Sequence, residues 1–354
     1  MMVLLAHAPE LVDGNRGREI LSIIFRGNFS FGEVAVAGFF ILSGFLISKS
    51  WDSRPNLWIF LKKRILRIFP AFIVASFVCA LIVGPLGAQS LSNYFVEFHF
   101  FKFLIGALTL SQPIIPAVFV GQPYAIVNGA MWTIPIEFSC YLAVLVVGLF
   151  IGFRRSFCLV VTASLLSLCA FRYFSHKFDW LDVIHPNLAS YFAVGSCFYV
   201  FRDRISFVPK FAAAAFLTLL IGMFSFRAHQ IAFAIVGSYL LFYLAYAKIA
   251  LIESFGNLPD VSYGLYLYGW PIQKLIIWWF PNISPWLVFP ISAFSATAAG
   301  WVSWHLIEKR FIKSKKIIGM PPSPSVSTHT SAASTSLIYD HSEVQVKRNI
   351  SSSS

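Results

Sequence analysis

Along this chain, long stretches without a charged residue alternate with short polar or basic connections. Uncharged runs occupy residues 34–48, 68–86, 132–153 (interrupted only by Glu137), 156–171, 183–201, 211–226, 228–247, 261–280 (with Lys274 inside) and 284–307. At ~1.5 Å per helical residue, runs near 20 residues match the ~30 Å of a bilayer's hydrocarbon core, so the pattern predicts nine membrane-spanning helices. Residues 1–8 are apolar but too few to cross. They have the character of the second half of a tenth span, giving an all-α bundle of about ten spans with the first incomplete. The segment 87–131 is the long exception. Its part 98–110 is apolar, but counting it as a span would invert every later loop, so it is expected to be interfacial or re-entrant. Beyond residue 318 the composition turns to Pro, Ser and Thr, which cannot bury a core. The predicted division is therefore a membrane domain, 1–318, and a disordered tail, 319–354.

Composition strengthens the pattern. Of 354 residues, 58% are hydrophobic and 12% charged, against ~25% charged in an ordinary soluble domain. A soluble enzyme, a disordered protein and a disulfide scaffold are excluded. The five cysteines all lie in apolar runs and read as small buried hydrophobes. The net charge of +12 is read as membrane topology, with no nucleic-acid partner. With the first half-span ending outside, 19 Lys and Arg fall on the inner side and seven on the outer, Lys274 lying within a span. That asymmetry places the C-terminus in the cytoplasm.

Ionisable side chains within a bilayer are costly and mark functional positions. Glu137 lies one and a half turns into its span with no basic residue near it in sequence, so its charge must be met by a distant partner or by a proton. His7, near the outer end of the first span, is either an interfacial histidine bonded to a neighbouring helix or a reactive one. Arg64 and Arg67 stand three residues apart on one helical face at the cytoplasmic start of their span. Guanidinium forks suit phosphate oxygens; the plainer alternative is a positive-inside anchor, which Lys62 and Lys63 would serve equally well. Lys274 is expected to snorkel or pair within the bundle. Gly38, Ser43, Gly44 and Ser48 are small residues on an apolar background, suited to close helix packing. No metal-binding, nucleotide-binding or nucleophile-elbow motif is present.

Several of these pieces, taken in order, resemble one family. GFFILSGFLIS, followed by LKKRILRIFP, NGAMWTIPIEFSCYL, SYGLYLYGWPI and HLIEKRFIK, is similar to the acyltransferase 3 family of integral-membrane acyltransferases, from about His7 to Lys313. The resemblance implies that His7 is the family's first-span histidine and catalytic base. It makes Arg64 and Arg67 the arginine pair that engages acyl-CoA, and Glu137 the helical acid. Two departures stand out. The family's arginine well before that histidine has no counterpart among the six residues preceding His7, which suggests a misplaced start. The late motif also carries Gly269 where the family often has histidine.

The resemblance implies transfer of an acyl group, most simply acetyl, from cytoplasmic acyl-CoA to a hydroxyl of a surface glycan or lipid-linked sugar. It needs no metal, and it takes place in a bacterial inner membrane among membrane lipids. A neutral His7 imidazole would take the hydroxyl's proton, with Tyr263 or backbone N–H groups as oxyanion donors. Glu137 could lie near the depth of His7 and orient it. The rival readings are a transporter or flippase of a lipid-linked sugar, for which internal repeats would be expected and none is seen, and a truncated, inactive homologue.

Overall fold

A computed structural model describes residues 1–174, 185–225, 229–247 and 259–313. The predicted tail, 319–354, lies outside the described residues. Within them the chain is all-helical, with no strand. In chain order the helices are α1 (Met2–Asp13), α2 (Ile20–Ile24), α3 (Phe31–Ser53), α4 (Leu57–Gly87), α5 (Leu91–Glu97), α6 (Phe100–Leu108) and α7 (Gly129–Phe150). They continue with α8 (Arg155–Phe174), α9 (Pro186–Val200), α10 (Pro209–Met223), α11 (His229–Tyr246), α12 (Ser262–Trp279) and α13 (Pro285–Phe311). Each of the nine uncharged runs falls on one helix. Five of them, α3, α4, α7, α11 and α13, are long and apolar enough to cross a membrane by length and composition alone. The protein is a helical membrane bundle.

Local signals fix the helix starts. Ser30 accepts from the Glu33 N–H at 3.2 Å while the Glu33 carboxylate accepts from the Ser30 N–H at 2.9 Å, a reciprocal cap on α3. Asn56 caps α4 through the Ile59 N–H at 3.0 Å. Prolines 186, 209 and 285 open α9, α10 and α13, where a missing N–H costs nothing. Segment 87–131 holds only α5 and α6, of seven and nine residues, too short to span.

The bundle is cemented where small residues let backbones meet. A Cβ on Gly44 of α3 would lie 2.0 Å from the Phe192 carbonyl oxygen of α9, and one on Gly195 would lie 1.9 Å from that of Ile41. Any side chain at either position would push α3 and α9 apart. Gly38 has no such neighbour, so the small-residue stripe matters at Gly44 and not along its whole length. A second close crossing pairs Gly264 of α12 with Gly300 of α13, where a Cβ on the first would reach the Cα of the second at 2.7 Å. The short helix α1 is held between α3, α12 and α13. Gln273 of α12 donates to the Leu4 carbonyl at 2.8 Å, and a Cβ at Gly269 would strike Leu4 at 2.7 Å. A larger residue at 269 would therefore require the Leu4 side chain to move aside.

Cys79, Cys140, Cys158 and Cys197 are free thiols. Lys274 neither snorkels nor forms an ion pair. Its side chain is fully buried, and Nζ has no hydrogen-bond partner and sits 5.0 Å from the centroid of Phe119, a cation–π contact.

Candidate functional site

The site begins on α1. His7 and Glu10 are three residues apart on one helical face, and His7 Nδ1 lies 2.9 Å from Glu10 Oε2. Gly14, at φ 76°, ends the helix in the left-handed region that favours glycine. The reversal that follows brings Arg16 back over the helix, so that Arg16 Nε donates to Glu10 Oε1 at 2.6 Å. Glu10 is only 2% exposed, with both oxygens engaged. Because a carboxylate only accepts, Nδ1 carries the hydrogen, and in the neutral ring Nε2 keeps its lone pair. Nε2 has no partner among the described residues. The edge of Trp270 from α12 packs against the imidazole, ring centroids 4.8 Å apart. Trp270 is itself anchored by donating to the Ile126 carbonyl at 3.2 Å.

His7 lines a cavity of about 400 Å³, within the ~300–1,000 Å³ range of small-molecule sites. It is walled by the start of α3, the start of α9 and the first turn of α7, together with Tyr266 of α12. The starts of α3, α7 and α9 thus meet around one cavity. The Tyr266 hydroxyl donates to the Ala130 carbonyl at 2.5 Å and lies 2.6 Å from Thr133 Oγ1.

One turn along α7 from Thr133 stands Glu137, 7% exposed. Its Oε1 accepts from the Tyr141 hydroxyl, which in turn accepts from Ser43 at 3.3 Å. Glu137 is thus joined to Tyr141 and not to His7; the carboxylate that orients His7 is Glu10. Arg64 and Arg67 both lie within electrostatic range of Glu137, so the charge partners absent from its sequence neighbourhood are supplied by α4.

The two arginines share a helical face but not an environment. Arg67 Nη2 donates to Asp260 at 2.6 Å, its Nη1 lies 3.7 Å from Glu308 Oε2, and its guanidinium covers the Tyr263 ring at 5.8 Å. Burial pulls the Asp260 carboxyl upward, but the Ser262 hydroxyl and the Arg67 guanidinium outweigh it and hold it below the usual carboxylate range. Arg64 is less committed. It makes one long contact with Ser50 at 3.4 Å and lies over Phe60 and Tyr141, each at 5.7 Å. Its Nε is buried without a hydrogen-bond partner. The Tyr263 hydroxyl donates to the Ile68 carbonyl at 3.1 Å, so it is not a free oxyanion donor.

These contacts set the scale of the site. At the start of α12 Arg67 binds Asp260, whereas His7 packs on Trp270, and ten residues of helix rise by ~15 Å. On α3 Arg64 meets Ser50, thirteen residues from Ala37 of the cavity wall, so His7 and the arginines stand at different levels of the bundle. Glu10, Arg16 and Glu308 were not anticipated as partners. The spacing His7-x-x-Glu10 could have revealed the first; the other two are brought in by the Gly14 reversal and by the return of the last helix.

A carboxylate-held imidazole facing a cavity, with guanidiniums further along the same bundle, is an arrangement suited to group transfer. The chain belongs to the acyltransferase 3 family: residues 1–305 match its acyltransferase domain, and the protein is an acyltransferase of groups other than amino-acyl groups. It is 27% identical to an O-acetyl transferase of Shigella phage Sf6, over 80% of this chain and 86% of that protein. It is 26% identical to nodulation protein 10 of Rhizobium leguminosarum bv. viciae, over 80% of this chain and 83% of that protein. No solved structure is significantly similar to the chain.

Proposed function

We propose that the protein moves an acyl group, acetyl in the simplest case, from cytoplasmic acyl-CoA to a hydroxyl of a surface glycan or lipid-linked sugar, within a bacterial inner membrane. The chain crosses that membrane several times, with its C-terminus in the cytoplasm. The observation that carries this reading is the His7 imidazole, held by Glu10 and lining a cavity, with the incompletely bonded Arg64 deeper in the same bundle. CoA phosphates meet Arg64 and Arg67, and the thioester lies beside the cavity where the acceptor hydroxyl waits.

In the transfer, His7 Nε2 takes the hydroxyl proton as the oxygen attacks the thioester carbon. Glu10 fixes the imidazole and stabilises the imidazolium, while Arg16 holds Glu10 in place. The tetrahedral adduct collapses with loss of the CoA thiolate, which recovers a proton, and His7 returns to neutral. Glu137, between the two regions, sets the electrostatic environment of the donor.

The test is acyl transfer by protein reconstituted in vesicles with labelled acetyl-CoA and a glycan acceptor. In His7→Ala, transfer should fall by roughly the 10²–10⁴-fold that a general base supplies, with acetyl-CoA binding retained. Transfer at the parental rate in a folded His7→Ala protein would remove His7 from the mechanism.

A further inference from the structure

Away from His7, helices α9, α10 and α11 enclose an apolar groove of about 400 Å³. The connection 201–208 joins α9 to α10, so Phe198 and Phe211 line one end of the groove, and Val194 and Thr218 line the other. From Phe211 to Thr218 the groove follows α10 for seven residues, a rise of ~10 Å along the helix and into the depth of the bilayer. The two hydroxyls in its wall are already engaged. Thr218 Oγ1 donates to the Ala214 carbonyl at 2.9 Å. The Tyr239 hydroxyl donates to the Ser206 carbonyl at 2.9 Å and accepts from the Val208 N–H at 3.1 Å. The interior therefore offers nothing to a polar ligand, whose groups would go unbonded there, and a hydrocarbon chain fits it. In α11 the turn Phe233–Gly237 is π-helical, and two of its residues, Ile235 and Val236, line the groove. Such turns recur where a helix is shaped for a function.

Charge is confined to one end of this groove. The two bonds of Tyr239 tie the connection 201–208 to the end marked by Phe198 and Phe211. Arg204 lies in that connection and Lys210 just beyond it, both exposed. Lys210 Nζ is 5.2 Å from the ring centroid of Phe211, a residue of the groove wall. Neither cation forms an ion pair among the described residues. Arg202 is already occupied: its Nη1 donates to the Tyr199 carbonyl at 2.9 Å, and it covers the Tyr199 ring at 4.3 Å. Asp203, the acid of the connection, lies 3.9 Å from Arg202 Nε and is 71% exposed.

We infer that the groove holds one acyl chain of an anionic glycerophospholipid whose phosphate meets Arg204 and Lys210. Such a lipid carries its charge at the membrane surface and its chain along the bilayer normal, the same order in which the protein sets two cations above an apolar groove. A zwitterionic lipid has the chain but brings an ammonium to the cations, and a soluble phosphate has the charge without the chain. Basic side chains at a membrane surface attract anionic lipid in general; the groove beneath them makes this a single bound molecule. The inference is independent of the acyl-transfer reading.

Native mass spectrometry of the detergent-purified full chain tests this by counting the lipid it retains. The probes are dioleoylphosphatidylglycerol, dioleoylphosphatidylcholine and glycerophosphoglycerol, which has the anionic head and no chain. The parent should retain one phosphatidylglycerol, at least ~10-fold better than phosphatidylcholine, and glycerophosphoglycerol should not displace it. Each cation near an anionic lipid head contributes about 5-fold. Arg204→Gln combined with Lys210→Gln should therefore weaken phosphatidylglycerol retention by roughly 10- to 30-fold and leave phosphatidylcholine unchanged. Ala214→Trp fills the groove from an exposed position and keeps both cations, and it should abolish retention. Ala213→Trp, exposed but not lining the groove, should retain the lipid as the parent does. Equal retention of the two phospholipids by the parent overturns the inference. Displacement by glycerophosphoglycerol overturns it too, since the chain would then have no role, as does undiminished retention in Ala214→Trp. If Ala214→Trp does not fold, the double glutamine variant decides, and undiminished retention there overturns the inference.

Discussion

The two ends of the site are built on opposite principles. At His7 the reactive nitrogen is left open, while Nδ1, both oxygens of Glu10 and the Arg16 Nε are already engaged. In a neutral ring this arrangement keeps the hydrogen on Nδ1, the tautomer that the proposed mechanism uses. At Arg64 the guanidinium is half-buried against aromatic rings, with one long contact and an Nε that nothing satisfies. A buried guanidinium N–H without an acceptor is a standing cost, removed when a phosphate or carbonyl oxygen enters. On the proposed mechanism, the chemical end is preorganised while the donor end is incomplete alone. Arg67, only one turn further on, resembles His7 more than Arg64, because Asp260 and Glu308 already hold it.

The comparison can be broken most severely at Glu10. Glu10→Gln keeps the shape but loses the charge that stabilises an imidazolium. Turnover should drop by roughly 10- to 100-fold, a part of the ~10²–10⁴-fold that a general base supplies as a whole. The pH profile of kcat should shift, and acetyl-CoA affinity should be unchanged. An unaltered pH profile would mean that Glu10 is only a packing partner.

The arginines offer the next largest effect. Arg64→Lys should weaken acetyl-CoA binding several-fold, since an ammonium cannot present a planar fork. Arg67→Lys should instead lower stability in detergent, with a smaller change in affinity. Equilibrium binding and thermal unfolding measured on both variants check this; equal affinity losses would erase the distinction.

Asp260 should give the smallest effect. Its carboxyl is held below the usual range, so its ion pair with Arg67 contributes stability above the unfolded-state value of ~3.9, lost as pH falls through the folded-state value. With the Asp260 side chain 48% exposed, screening limits the contribution to about 1 kcal/mol or less. Asp260→Asn should therefore cost little at neutral pH, and the difference from the parent should vanish in strong acid. Unfolding followed from pH 7 to pH 2 tests both statements.

Much of the architecture was legible because a bilayer imposes one length scale and one polarity rule. Among the described residues every uncharged run carries a helix, and 98–110, set aside as a span on the charge count, holds a helix of nine residues, too short to cross. The candidate residues were visible for the same reason, since Glu137, His7 and Lys274 stand out against an apolar background. Their partners were harder to find. Glu10 lies within one turn of His7 and could have been read from spacing, but Arg16 depends on the left-handed Gly14. Arg67 meets residues 193 and 241 positions away in Asp260 and Glu308. Glu137 illustrates the limit: depth was inferred from span position, but only the fold shows that its hydroxyl partner is Tyr141, one turn along its own helix.

The buried Lys274 has a consequence for how the polypeptide is made. Helix α12 carries this lysine and Gln273 at full burial and is not among the five helices apolar enough to cross a membrane by composition. A lysine at mid-helix disfavours insertion by about 2.5–3.5 kcal/mol, so α12 would leave the translocation machinery reluctantly if it left alone. Its neighbour α13 offers the remedy, with Gly300 against Gly264 and Ser292 3.2 Å from Gln273. The two helices would then enter the bilayer as a hairpin, late in synthesis. The helix that carries Trp270 to His7 would be among the last parts of the enzyme to reach its place.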